Sequence, residues 1–106
     1  MGIVWAARDE RAGADVVVKL LPAEAVTDLE AVGRFVREAK LALRVDHPNV
    51  ARTIELVTPA DGPPYIVQER LVGETLEDRL ARGVLAPAEA ARVGVALLAA
   101  LAAVHA

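Results

Sequence analysis

The feature that most constrains this sequence is a run of three valines followed by a lysine, Val16-Val17-Val18-Lys19. Consecutive β-branched residues disfavour a helix, because each loses side-chain freedom against the preceding turn, and they favour a half-buried strand. We therefore predict a strand over residues 15–21. Since side chains alternate along a strand, Lys19 should share a face with Val17. A lysine on such an apolar strand either protects a sheet edge from aggregation or meets a partner.

Composition excludes several classes of protein. The chain has 106 residues, enough for one small domain, and a formal net charge of −3 without the basic stripe that nucleic-acid binding requires. With no cysteine and two isolated histidines, it offers neither a disulfide framework nor a metal-ligand spacing. The longest apolar run, residues 93–104, is shorter than the ~20 residues that cross a bilayer, and no signal-peptide pattern is present. We expect a soluble, cytoplasmic chain with no nucleic-acid partner, metal ligands or membrane segment.

Two hairpins are predicted around the lysine strand and in the middle of the chain. Residues 2–8 are typical of a strand, and the polar, glycine-containing turn that follows should fold it against the strand of Lys19. Residues 50–57 and 65–69 are also strand-like, and a turn rich in proline and glycine separates them.

Three helices complete the predicted order, which is strand, strand, helix, strand, strand, helix, helix. Thr27-Asp28-Leu29-Glu30 has the form of a capping box with Thr27 as N-cap, and apolar residues at helical spacing follow it. Glu38 falls on the flank of that apolar stripe, where it is either a solvated boundary charge or within reach of a neighbouring sheet. Residues 75–80 predict a short helix that ends near Gly83, and Pro87 opens a long, alanine-rich one.

In this order the segments resemble the catalytic domain of a bacterial serine/threonine protein kinase. Each segment alone is a weak signal, but six in the right order and spacing are specific. They are Gly2-Ile3-Val4 (the tail of the glycine-rich loop), Val16–Lys19 (the V-A-I-K strand), Arg34–Ala39 (the helix whose glutamate pairs with that lysine), His47-Pro48-Asn49-Val50 (H-P-N-[IV]), Tyr65–Leu76 (the last strand, the adenine-binding hinge and the next helix) and Ala103–Ala106 (the helix end before the catalytic loop).

The resemblance implies an α+β, protein-kinase-like fold that is truncated at both ends. An antiparallel small-lobe sheet with one long helix would be followed by the first helices of the large lobe. Residues 1–72 would form the small lobe, lacking its first strand, through the hinge. Residues 73–106 would form the first two helices of an incomplete large lobe.

The resemblance also implies the site residues. Lys19 would hold the α- and β-phosphates of ATP, and Glu38 would pair with Lys19, because phosphoryl transfer depends mainly on positioning and electrostatic stabilisation. The Glu69 carbonyl and the Leu71 N–H would bind adenine. The implied nucleotide-binding set is Gly2, Val4, Val17, Lys19, Gln68, Glu69 and Leu71.

The sequence differs from the usual family pattern at two residues of this nucleotide-binding set. The family usually has alanine where Val17 stands, so the extra methyl groups should press toward the adenine ring. Gln68 replaces the more usual bulky apolar residue behind the hinge, and its amide needs a hydrogen-bond partner if it is buried.

The larger departure is the absence of H-R-D-x-x-x-x-N and D-F-G, so the catalytic aspartate and the Mg²⁺ ligands are not in this chain. We expect the parent protein to be an ATP- and Mg²⁺-dependent serine/threonine kinase that acts on protein substrates, and the isolated chain, without the remaining large lobe, to be inactive. One alternative is a non-catalytic kinase-like module that binds nucleotide or a partner. Another, an unrelated α+β interaction domain, predicts that Lys19 and Glu38 lie far apart.

Overall fold

A computed structural model describes residues 3–105, and its elements follow the predicted order with one added turn of 3₁₀ helix. The elements are β1 (Ile3–Asp9), β2 (Ala14–Leu20), the 3₁₀ turn (Ala23–Ala25), α1 (Leu29–Ala42), β3 (Thr53–Val57), β4 (Tyr65–Glu69), α2 (Leu76–Ala81) and α3 (Pro87–His105).

The four strands form one antiparallel sheet in the order β1-β2-β4-β3. Both predicted hairpins are present, and the pairing of β2 with β4 joins them. The strand that carries Lys19 therefore lies inside the sheet, with β1 on one side and β4 on the other. The interpretation of Lys19 as a guard of a sheet edge is wrong, and the edges of this sheet are β1 and β3.

Strand β3 is shorter than the sequence predicted. It begins at Thr53, whereas the prediction began at Val50. The Val50 N–H donates to the His47 carbonyl at 3.0 Å, so these residues close a turn before the strand can start. A break in the β3–β4 register between Thr53 and Glu55 then inserts a bulge, which bends the strand where it enters the sheet.

The N-cap of α1 is Asp28, so the predicted capping box at Thr27 is wrong by one residue. The Asp28 carboxylate accepts hydrogen bonds from the backbone N–H groups of Glu30 and Ala31, at 3.0 and 3.2 Å. A carboxylate accepts more strongly than a hydroxyl, and its negative charge interacts favourably with the positive end of the helix dipole. Thr27 precedes the cap and is exposed.

The core is small and lies between the sheet and α1. Ala39 of α1 is 1% exposed, and helix α1 packs against β3. The small side chain at Ala39 allows the helix to approach the strand closely. The other buried side chains are Leu21, Thr53 and Ile66, together with Val16, which lies on the face of β2 opposite Val17 and Lys19.

Helices α2 and α3 extend away from this core. The Thr75 hydroxyl caps α2 by accepting from the Asp78 N–H at 3.0 Å, and the helix lies within one residue of the predicted 75–80. Arg79 then fixes α2 to α3, since its guanidinium donates to the Gly83 carbonyl and pairs with Glu89 at 3.1 Å. The radius of gyration of the Cα atoms is 16.2 Å, larger than the about 13 Å of a compact domain of ~100 residues.

Helix α3 is apolar around most of its circumference, and none of its described residues is buried. At 19 residues it is long and apolar enough to cross a membrane, by length and composition alone. A core helix of a soluble protein meets the same criterion, so the feature is weak evidence for a membrane segment.

Candidate functional site

Four of the predicted site residues lie on one face of the sheet. The strand register places Val4 opposite Lys19 on β1 and β2, and Val17 opposite Gln68 on β2 and β4. Directly paired residues share a face, and so do residues two apart on one strand. Val4, Val17, Lys19 and Gln68 therefore form a continuous surface that crosses three strands.

Lys19 and Glu38 line the same cavity, an open space of about 370 Å³ between the end of β2, the 3₁₀ turn and α1. The unrelated-domain interpretation placed these residues far apart, and that prediction is wrong. The apolar part of the lining is Leu20, Leu21, Pro22, Ala25, Ala31 and Phe35.

The Arg34 side chain, a cation outside the predicted site residues, also lines the cavity. Arg34 precedes Glu38 by four residues on α1, so both side chains lie on the same side of the helix. The ion pairs recorded within residues 3–105 are Arg8–Asp15, Arg79–Glu89 and Arg82–Glu74. Lys19 and Glu38 thus share a cavity without an ion pair, and their pairing stays a prediction. Two cations and one carboxylate give the lining a net positive charge that favours an anion.

Gln68 has the hydrogen-bond partner that its position requires. Its side-chain Nε2 donates to the Thr53 hydroxyl at 3.5 Å, longer than the about 2.7–3.2 Å usual for an N–H···O bond, so the bond is weak. Thr53 is directly opposite Gln68 in the β3–β4 pairing and is 6% exposed. Thr53 was not among the predicted site residues, because strand register cannot be read from two separate strand patterns.

The backbone groups predicted to bind adenine lie where β4 leaves the sheet. The Glu69 N–H donates to the Arg52 carbonyl at 2.9 Å, the last bond on that side of β4. Leu71 follows outside the sheet, with 67% of its surface exposed, and its N–H has no backbone partner among residues 3–105. The remaining predicted residue, Gly2, lies outside the described residues.

Asn49 connects the sheet-and-helix unit to α3. Its side-chain amide donates to the Ala96 carbonyl at 3.2 Å. The His47 ring nitrogen in turn accepts from the Asn49 N–H at 3.1 Å, which fixes the turn that presents the amide. Both residues belong to the His47–Val50 segment that resembles a kinase signature, and the sequence predicted no contact for them.

The family model for the protein kinase domain matches residues 1–106. The chain belongs to the protein kinase family. Its fold is correspondingly protein-kinase-like, with the four-stranded antiparallel sheet and helices that the resemblance implied.

Curated relatives of this chain include bacterial serine/threonine-protein kinases. PknB of Mycobacterium tuberculosis is 43% identical over 81 residues, which cover 74% of this chain and 13% of PknB. PrkC of Bacillus subtilis is 35% identical over 106 residues, which cover 99% of this chain and 16% of PrkC. This kinase-family chain therefore spans less than a fifth of the length of either relative.

Solved kinase domains have the same backbone arrangement. The PknI kinase domain of M. tuberculosis superimposes with a TM-score of 0.82 and 25% sequence identity, over 99% of this chain and 43% of the PknI domain.

Within residues 3–105 no group of three His, Asp or Glu side chains is arranged to hold a metal ion. Magnesium is usually bound through one or two carboxylates together with substrate phosphates, and the motifs that would supply its ligands in the family are absent from this sequence.

Proposed function

We propose that this chain is the nucleotide-binding part of an ATP-dependent serine/threonine protein kinase, in which Lys19 and Glu38 act on the phosphates. The observation that carries the proposal is the placement of Lys19. It shares one sheet face with Val4 and Val17 and one cavity with Glu38.

The residues present fit ATP in their chemistry. An apolar surface from Val4 and Val17 suits a nucleobase, and a single ammonium on the same face suits phosphate oxygens. The free N–H of Leu71 supplies a backbone donor at the end of β4, as the resemblance implied for adenine. Bound ATP would supply the phosphoryl group that is transferred to a serine or threonine hydroxyl.

Lys19 and Glu38 would have different roles in positioning the phosphates. The Lys19 ammonium would neutralise phosphate charge, which matters because phosphoryl transfer depends largely on electrostatic stabilisation. The Glu38 carboxylate would restrict the rotamers of that ammonium. In the described structure the two side chains face one cavity without touching, so we expect ATP binding to bring them together.

The test uses the protein expressed from its complete reading frame. The assay follows phosphate transfer from ATP to serine and threonine residues, and ATP binding is measured separately by calorimetry. Lys19→Met should lower the transfer rate by about a hundredfold or more, since removal of one preorganised electrostatic donor typically costs that much. Lys40→Met is the matched control, because Lys40 is the other lysine and lies exposed on α1.

Each outcome of this test is informative. Full transfer activity in Lys19→Met would contradict the proposal. ATP binding without transfer in the wild type would favour the alternative, a non-catalytic kinase-like module. Absence of both from a folded protein would overturn nucleotide binding altogether.

A further inference from the structure

A row of paired residues crosses all four strands of the sheet and includes Val17 of the proposed nucleobase surface. Ala6 pairs with Val17, Val17 with Gln68, and Gln68 with Thr53. The row is apolar on β1 and β2 and polar on β4 and β3. Thr53, at the end of the row, is the buried polar residue of the core described here.

The hydrogen bond between Gln68 and Thr53 gives the Gln68 carboxamide a direction. Its Nε2 donates toward β3 at 3.5 Å. The two heteroatoms of a planar carboxamide diverge from one carbon, so the oxygen lies on the side away from β3. In the strand order that side is β2, where Val17 contributes to the proposed nucleobase surface.

We propose that Thr53 is a positioning residue that fixes the Gln68 carboxamide oxygen as a hydrogen-bond acceptor at the back of the nucleobase site. A nucleobase with an exocyclic amino group at C6, such as adenine, can donate to this oxygen. A 6-oxo purine presents an acceptor there and leaves two oxygens facing each other. The inference deepens the proposed function and rests on it, since it requires the nucleotide to bind on this face.

A polar pair at this position requires an explanation, because Thr53 is buried and Gln68 is half-buried. A buried hydroxyl or amide without a partner costs about 1–3 kcal/mol, whereas a matched apolar pair in the same place has no such requirement. Gln68 and Thr53 satisfy each other only at 3.5 Å. The pair therefore adds little to stability, and recognition of a ligand group accounts for it better than packing does.

The experiment compares ATP with inosine triphosphate, which differs from ATP in carrying a 6-oxo group in place of the 6-amino group. Calorimetry on the full-length protein gives both dissociation constants and hence the preference for ATP. Thr53→Val removes the hydroxyl while keeping the shape of the side chain. It should reduce the preference about two- to tenfold, the effect of one neutral hydrogen bond. Thr58→Val is the matched control, because Thr58 is exposed in the β3–β4 turn, and it should leave the preference unchanged.

A second variant separates positioning from general damage to the site. Gln68→Met removes the acceptor, so it should reduce the preference by a similar factor, and adding Thr53→Val should then change nothing further. A purely structural role for Thr53 would weaken both nucleotides equally and leave their ratio intact, which would overturn the inference. A preference that rises in Thr53→Val would also overturn it, because it would mean that the wild-type amide presents its nitrogen, not its oxygen, to the base. Failure of the wild type to bind either nucleotide would instead count against the proposed function.

Discussion

Asn49 donates a hydrogen bond from its side-chain amide to the backbone carbonyl of Ala96, 3.2 Å away, and so joins the α1–β3 connection to the middle of α3. No residue of α3 is buried, and this bond is therefore a specific link between α3 and the unit that carries Lys19. Apolar residues at the end of α3, Ala103 and Val104, also line a cavity with α1 and this connection, so the Asn49 bond adds a polar contact to an apolar one.

Replacing Asn49 tests that link. We expect Asn49→Ala to lower the free energy of unfolding by about 1 kcal/mol, the usual contribution of one neutral hydrogen bond. The change should appear as a lower thermal midpoint by calorimetry. Asp46→Ala, at an exposed position of the same connection, is the control. Equal effects of the two substitutions would mean that the Asn49 bond contributes nothing in solution.

The cap of α1 provides a second test, because the structure has Asp28 as the N-cap where the sequence predicted Thr27. Asp28 accepts two backbone N–H groups, so Asp28→Ala should cost about 1 kcal/mol of stability. Thr27→Ala should have almost no effect. Chemical denaturation of the two variants under the same conditions gives the comparison. A larger loss in Thr27→Ala would restore the capping box centred on Thr27.

Val16 and Val17 are adjacent on β2 but face opposite sides of the sheet, which makes them a matched pair. Val17 belongs to the proposed nucleobase surface, so Val17→Ala should make room there and lower the dissociation constant for ATP several-fold. Val16 is 5% exposed, so Val16→Ala should instead lower stability by about 1.5–2 kcal/mol through the loss of two buried methyl groups. Calorimetry with ATP and thermal unfolding separate the two effects. Weaker ATP binding by Val17→Ala would show that the valine methyl groups contact the base favourably.

The edge strand β1 exposes large apolar side chains, and these should govern the solubility of the isolated chain. Trp5 is 60% exposed and Ile3 47% exposed, on a strand with one paired side. Edge strands of this kind associate with other chains unless a charge interrupts them. Trp5→Lys should therefore increase the monomeric fraction in light scattering, whereas Trp5→Phe should not. Identical aggregation of both variants would contradict this prediction and would indicate that the exposed face of α3 drives association instead.

The sequence predicted the elements better than it predicted their ends. Strand β4 was predicted at the observed bounds, because the turn before it and the polar residues after it fix where the strand begins and ends. The start of β3 was placed too early, at Val50, because its composition is as strand-like as that of the residues that follow. The hydrogen bond from the Val50 N–H to the His47 carbonyl instead closes a local turn there, and the strand-like composition of the residues that follow concealed it.

Within the candidate site, single residues could be predicted and their partners could not. Lys19 and Glu38 were selected from a strand pattern, a helix pattern and a family resemblance, and the structure brings both to one cavity. Arg34 could have been found from its spacing to Glu38 on the same helix. Thr53 could not, because its pairing with Gln68 depends on a strand register and a bulge that no local pattern reveals.

Gly73 lies between the last strand and the two helices that extend from the sheet, in a backbone conformation that few other residues adopt. Its φ is +140°, in a region that residues with a side chain rarely adopt, and a Cβ added there would meet no atom within 4 Å. The restriction on this position is thus purely one of backbone torsion, and it lies between the last strand and the first of the two extended helices. A side chain here would therefore be strained by its φ rather than by a clash, so the direction in which the chain leaves β4 for α2 depends on a glycine at this position.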